Sequence, residues 1–84
     1  MNKRKLLGKL LSGSKNIRFA EARIIAEAFG FKLDRINGSH HIFVHPGVPK
    51  IINLQDVKGN AKPYQLKQLL KIIETYNLHM EEEE

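Results

Sequence analysis

The dipeptide Asn37-Gly38, set between two runs of strand-forming residues, constrains the fold of this chain more than any other feature. An Asn-Gly pair between alternating hydrophobic residues is the strongest short-range signal for a β-hairpin. Residues 31–36 before it alternate in character, and residues 40–45 after it are rich in Ile, Phe and Val. The sequence therefore predicts an antiparallel pair of strands in the middle of the chain.

Helices and one further strand are predicted on either side of this hairpin. Apolar residues at helical spacing indicate three helices, over residues 2–11, 18–29 and 63–76. Residues 50–54 indicate a third strand, and residues 12–16 a linker or turn. The order predicts an α+β fold of helix, three-stranded antiparallel sheet and helix, with an extra N-terminal helix. Both main helices should cover one face of the sheet and leave the other open to a ligand.

Length and composition limit the class of protein. The 84 residues suit one domain, 1–84, and the absence of cysteine excludes disulfides and thiolate–zinc sites. No apolar run is long enough for a signal peptide or a membrane span. These features predict a soluble, cytoplasmic protein without membrane contact.

The charge of the chain points to a polyanionic partner. The net charge is +5, and it rises to +9 over residues 1–80, with 14 basic against 5 acidic residues, once the run 81–84 of glutamates is left out. Such a charge attracts nucleic acid and speeds encounter with it. The alternative is a basic surface that serves solubility only. The acidic run itself is expected to be a disordered, solubilising tail.

Three of the four histidines lie in the second predicted strand, at His40, His41 and His45. Histidine both donates and accepts protons near neutral pH, and His40 comes first after the turn, where exposure is greatest. Spacing alone favours a structural role for His40, bonded to a neighbouring carbonyl, over a catalytic one. His41 should face away from His40 and share the packed side of the strand with His45. Opposite faces and the lack of cysteine argue against zinc at these three residues.

RNA cleavage is the chemistry that these residue types fit. The 2′-OH of RNA attacks the adjacent phosphorus when a base takes its proton, an acid protonates the leaving oxygen and a cation stabilises the added charge. The predicted phosphate-binding groups are the Gly38-Ser39 turn and the lysines Lys58, Lys62, Lys67 and Lys71. Their alternatives are a simple hairpin turn and a solvated helix face. The few scattered carboxylates do not suit a two-metal nuclease, and neither metal nor cofactor is expected.

The motif Gly38-Ser39-His40-His41 with Phe43, followed by His45-Pro46 and by Lys62-Pro63, resembles the HicA toxins of bacterial toxin–antitoxin systems, over residues 19–76. The resemblance implies a fold like a double-stranded-RNA-binding domain, and an mRNA interferase that cleaves mRNA and halts translation. It implies that His40 is the catalytic histidine, and that a HicB-type antitoxin covers the active site. The extension 1–16 resembles that of a longer subgroup.

Two other functions explain parts of the sequence. A non-catalytic double-stranded-RNA-binding module fits the fold and the charge equally well, although it gives no reason for a histidine directly after the turn. A protein-interaction module whose only partner is an antitoxin-like chain is the third hypothesis. Cleavage of RNA distinguishes the first function from both of these.

Overall fold

The computed structural model describes residues 3–13 and 16–80, which form three helices and one four-stranded antiparallel sheet. The helices are α1 (Lys3–Leu11), α2 (Phe19–Ala28) and α3 (Pro63–Thr75). The strands are β1 (Lys32–Asn37), β2 (His40–His45), β3 (Val48–Val57) and β4 (Asn60–Ala61). They lie in the order β1-β2-β3-β4, each antiparallel to its neighbour. The α+β prediction and the extra N-terminal helix are confirmed.

The sheet is larger than predicted at its second edge. β3 extends to Val57 because Gln55 and Asp56, which have the polarity of loop residues, continue the strand. It then turns through Lys58-Gly59, both at positive φ (53° and 86°), into the two-residue strand β4, which was not predicted. Two residues are too few to show a periodic pattern. Residue 2 of the predicted first helix, residues 14 and 15 of the predicted linker and the run 81–84 lie outside the described residues.

The central hairpin is present, but it turns one residue later than the Asn-Gly motif implies. Asn37 pairs with His40, so Gly38 and Ser39 are the two central residues of the turn. Gly38 has a φ of 60°, and Ser39 is not among the described residues with positive φ. This is the sign pattern of a type II′ turn, which takes glycine at its first central position. The turn ends directly at His40, the first residue of β2.

The helical side of the sheet carries the hydrophobic core. Phe43 at the centre of β2 is fully buried. On the same side the His41 ring packs against Phe19, with ring centroids 4.5 Å apart, and the His45 ring packs edge-on against Phe31 at 5.1 Å. These two histidines therefore have packing contacts, as their shared face with Phe43 predicted.

The other side of β2 is only partly covered. Successive side chains of a strand point to opposite faces, so His40, Ile42 and Val44 lie away from the core, and all three are half-buried. Asn53 and Gln55 of β3 pair with Ile42 and His40 and share this side. We call the surface formed by these five side chains the open face.

The N-terminal helix is attached to the domain by packing and by an ion pair between Lys9 and Glu21. Leu6 and Leu10 of α1 are buried in the common core. Lys9 Nζ lies 3.3 Å from Glu21 Oε1 at the start of α2. The same carboxylate accepts the N–H of Arg18 at 2.9 Å, which is the Glu half of a capping box. The Arg18 N–H, assisted by Lys9 and opposed by burial, lowers the pKa of the Glu21 carboxyl.

We expect Glu21→Ala to lower the free energy of unfolding by about 1 kcal/mol at pH 7, because it removes this cap and ion pair. A carboxyl whose pKa is lowered by folding stabilises the fold above its unfolded value of about 4.3, and this contribution is lost as the pH falls through the folded pKa. Denaturant unfolding at pH 7 and pH 3 should therefore show the difference shrinking in acid. Glu27→Ala is the control. Glu27 lies in the same helix and forms an exposed ion pair with Arg23 at 3.9 Å, so its replacement should lower the free energy of unfolding by less. An effect of Glu21→Ala that is independent of pH would contradict this assignment.

Candidate active site

His40 lies on the open face at the point where the hairpin turn meets β2. Its ring is fixed by Asn53, which lies diagonally across on β3. The Nδ2 and Oδ1 atoms of Asn53 lie 2.9 and 3.2 Å from His40 Nδ1. Among the described residues, no protein atom is hydrogen-bonded to His40 Nε2. One ring nitrogen is thus held and the other is left for a ligand.

The amide of Asn53 suits an imidazole that changes its protonation state. An amide can donate through Nδ2 to an unprotonated Nδ1, or accept through Oδ1 from a protonated one. Both atoms are within hydrogen-bonding distance of Nδ1, so either arrangement needs only rotation of the amide about its last bond. When Oδ1 accepts from Nδ1–H, Nε2 of the neutral ring is unprotonated and can take a proton, and the same bond persists in the imidazolium.

The turn before His40 is anchored to β3 rather than to the histidine. Ser39 O accepts the backbone N–H of Asp56 at 2.9 Å, and Ser39 Oγ accepts Gln55 Nε2 at 3.2 Å. Ser39 Oγ thus contacts Gln55, and its predicted contact with a phosphate stays a prediction. Gly38 projects into open space, since a Cβ built there would have no neighbour within 4 Å.

A buried glutamine connects this strand to α3. Gln65, only 2% exposed, accepts the backbone N–H of Gln55 through Oε1 at 2.7 Å. The bond takes the place of one that a longer β4 would have made to the Gln55 N–H. It fixes the strand that carries Asn53 and Gln55.

The predicted RNA-binding lysines fall into two groups. Lys58 lies in the turn between β3 and β4. Asp56 links this turn to the Ser39 turn, because its carboxylate accepts the Gly59 N–H at 2.7 Å and its own N–H donates to Ser39 O. Lys62 precedes α3, with its Nζ 5.9 Å from the centre of the Tyr64 ring. These two belong to the end of the sheet where the hairpin turns.

Lys67 and Lys71 lie further along α3, away from the turn. Lys67 lines a groove with Leu7 and Leu11 of α1. Lys71 lines that groove and also a second one, beside Ile51 of β3. The four predicted lysines are thus divided between the turn end of the sheet and the helical layer, and RNA contact by Lys67 and Lys71 stays a prediction.

Sequence reasoning missed the residues that support His40. Asn53, Gln55 and Gln65 were not singled out, although the alternation of Asn53 and Gln55 with buried Ile52 and Leu54 indicates one polar face of a strand. Their partners depend on the register between β2 and β3. This register cannot be found by counting residues from the turn that joins the two strands, because the pairing is irregular between Phe43 and His45. Two cations of β1 were also missed: Arg35, paired opposite Ile42, and Lys32, paired opposite Val44.

Within residues 3–13 and 16–80, no group of three or more His, Cys, Asp or Glu side chains is arranged to hold a metal ion. In the same residues, no helix has the length and apolar character needed to cross a membrane.

Comparison with known proteins supports the sequence resemblance. No curated protein matched the chain. The family model described as the HicA toxin of bacterial toxin–antitoxin systems matches residues 20–74, which is more than half of the chain and includes the hairpin, His40, Asn53 and most of α3. The chain therefore belongs to the HicA toxin family.

Proposed function

We propose that this toxin is an endoribonuclease that cleaves mRNA, with His40 transferring the protons. The observation that carries the proposal is the His40–Asn53 pair on the open face of the sheet, in which Asn53 Oδ1 lies 3.2 Å from Nδ1 and can accept its N–H. His41 and His45 each also have a bonded Nδ1, but their rings pack against Phe19 and Phe31 on the core side of the strand. The arrangement at His40 instead orients a general acid–base toward a ligand.

The reaction needs only the RNA and one imidazole. Neutral His40 takes the proton of the 2′-OH at Nε2, while O2′ bonds to the adjacent phosphorus and the bond from phosphorus to O5′ breaks. The imidazolium then returns the proton to O5′, so protons balance over the turnover. The products are a 2′,3′-cyclic phosphate and a 5′-OH end. Asn53 Oδ1 accepts the Nδ1–H before and after the transfer, so Nε2 is the ring nitrogen that gains and loses the proton.

Basic groups near the turn supply the phosphate site in this proposal. Backbone N–H groups of Gly38 and Ser39 approach the phosphate, and Lys58 and Lys62 stabilise its added negative charge. Lys67 and Lys71, further along the helix, bind flanking phosphates or attract RNA through the field of the basic surface. Loss of either of these two lysines should therefore weaken RNA binding more than it slows the chemical step.

The setting of the activity follows from the toxin family. Cleavage of mRNA inhibits translation and growth in the cytoplasm, and it proceeds without metal because the 2′-OH is the nucleophile. A HicB-type antitoxin binds the toxin and covers the open face around His40. Its dissociation releases the nuclease.

Incubation of the purified chain with RNA in EDTA tests the proposed function directly. We expect fragments that end in 2′,3′-cyclic phosphate, which mass spectrometry of the products identifies. RNA binding without any cleavage, together with normal growth on induced expression, would instead indicate the non-catalytic RNA-binding module.

Asn53→Ala is expected to lower kcat about 10–100-fold while KM changes little, because Asn53 orients the histidine and touches no substrate. Asn53→Asp places a carboxylate against Nδ1 and favours the imidazolium, so its pH–rate profile should move to higher pH. Cleavage kinetics from pH 5 to 9 measure both effects. A purely structural role would lower activity equally at every pH, and an unmoved profile for Asn53→Asp would contradict the orienting role.

A further inference from the structure

The outer edge of β3 has no partner strand over most of its length. β2 pairs with the inner edge from Val48 to Gln55, whereas β4 pairs with the outer edge only at Asp56 and Val57. The Gln65 side chain covers the next position, Gln55. Among the described residues, no other backbone pairing closes this edge before Gln55. An unpaired edge presents a row of N–H and C=O groups to another chain.

The direction of these groups can be assigned from their neighbours. The Gln55 N–H points outward to Gln65, and the Asp56 N–H points inward to Ser39. Backbone groups two residues apart in a strand point the same way. Ile51 and Asn53 therefore direct their N–H and C=O groups outward, so the edge offers two donors and two acceptors.

A groove with a basic rim runs beside this edge. It has a volume of about 490 Å³ and is lined by Lys50, Ile51, Ile52, Gln68, Lys71, Ile72, Thr75 and Tyr76. Ile51 is 54% exposed there. Among the described residues, no carboxylate lines the groove and neither lysine has an acidic partner. The groove thus combines an apolar floor with two unpaired positive charges.

The opposite edge of the sheet lacks these properties. The register of β1 shifts between Leu33 and Arg35, which interrupts the regular row of backbone groups. Arg35 and Asp34 place an ion pair on that strand, with N and O 2.6 Å apart. Irregular pairing and charged side chains are the features by which proteins prevent strand addition. Of the two edges, β3 is the one that can accept a strand.

We propose that an extended acidic segment of the antitoxin partner adds to the edge of β3 as a further strand. Its backbone bonds to Ile51 and Asn53, an apolar side chain enters the groove, and its carboxylates pair with Lys50 and Lys71. Strand addition takes its affinity from main-chain hydrogen bonds and its specificity from alternate side chains. A nucleic acid has no matching alternation of donors and acceptors, so the edge favours a peptide.

Strand addition at this edge also reaches the histidine. Asn53 carries both an outward backbone group and the side chain that holds His40. A strand bound there lies beside the open face and limits the approach of RNA to His40 Nε2. This inhibitory consequence rests on the proposed function, whereas the binding itself does not.

The binding is tested on the full-length His40→Ala chain with a short synthetic peptide of alternating Glu and Val. We expect NMR spectra to show shifts and slower hydrogen exchange for the amides of Ile51 and Asn53 at peptide concentrations up to about 1 mM. A matched Lys–Val peptide should bind at least about threefold more weakly. Shifts confined to β1 or to the open face, or equal binding of both peptides, would overturn the proposal.

Variants of the edge and of the groove give independent readouts. Ile51→Pro removes one outward donor and should weaken binding about tenfold. Lys71→Glu should weaken binding of the acidic peptide at least about threefold and strengthen binding of the basic peptide. Lys67→Glu, one helical turn away, is the matched control and should leave peptide affinity unchanged. Protection of Ile51 and Asn53 by a short RNA, or by a second copy of the chain in a dimer, would assign the edge to that partner and overturn the proposal.

Failure of this inference and failure of the nuclease can be told apart. The peptide titration uses a chain without His40, so it is independent of cleavage. A second assay adds the acidic peptide to the wild-type chain and RNA, and we expect inhibition that Ile51→Pro relieves. Binding without inhibition would retain the strand-addition site and reject its effect on His40.

Discussion

Replacement of His40 by alanine is expected to lower the rate of RNA cleavage by about 10²–10⁴-fold, the usual contribution of a general acid–base. The residual rate belongs to the phosphate site, which keeps the Gly38-Ser39 turn and its lysines. RNA affinity should change little, because the imidazole contributes to the transition state more than to ground-state binding. Single-turnover cleavage of a labelled RNA measures the rate, and filter binding measures the affinity.

The effect of each variant on growth should parallel its effect on RNA cleavage. Induced expression of the native chain should stop growth and degrade mRNA, and His40→Ala should do neither. His79→Ala is the matched control, because His79 is an exposed histidine after the last helix and has no contact with the His40–Asn53 pair. Undiminished cleavage by a folded His40→Ala chain would reject the imidazole mechanism.

The second large effect concerns the opposite side of the same strand. Phe43→Ala is expected to lower the free energy of unfolding by about 3–5 kcal/mol, because it removes a fully buried ring from the centre of the core. A domain of this size has a total stability near the lower end of about 5–15 kcal/mol. The variant should therefore be largely unfolded near 37 °C, which circular dichroism and denaturant unfolding will measure.

Ile42→Ala is the control for the core position. Ile42 precedes Phe43 in β2, but it lies on the open face and is only half-buried. Its truncation leaves a gap that solvent fills, so it should cost less than half of the loss at Phe43. Equal losses at the two positions would mean that the two sides of β2 are equally covered, contrary to the structure.

The sequence was sufficient to predict the fold class and the location of the histidine. The three helices follow from apolar spacing, and the hairpin follows from a turn motif between alternating strands. Alternation also predicts that His40 and His41 face opposite ways, and the contacts of His41 with Phe19 and of His40 with Asn53 agree with this. These features are local, because each depends on residues a few positions apart.

The supporting residues of the site depend on contacts that are distant in sequence. Asn53 is 13 residues from His40, and Gln65 is 10 residues from Gln55. Both contacts depend on the position of β3 in the sheet. An irregularity between Phe43 and His45 shifts the pairing of β3 with β2. The position of the lysines on α3 depends in the same way on how the helix rotates over the sheet. Tertiary packing determines the strand register and the rotation of the helix, and sequence periodicity does not.

The alternation of β2 has a consequence for how a toxin of this kind diversifies over evolutionary time. Positions 40, 42 and 44 lie on the open face, while 41, 43 and 45 lie on the core side. Under the proposed function, substitutions at 42 and 44 can change which RNA is preferred while the core is kept, and repacking at 41 and 45 can leave the proton-transferring residue unchanged. Selection for new RNA targets and selection for stability would thus act on alternating positions of the same six-residue strand.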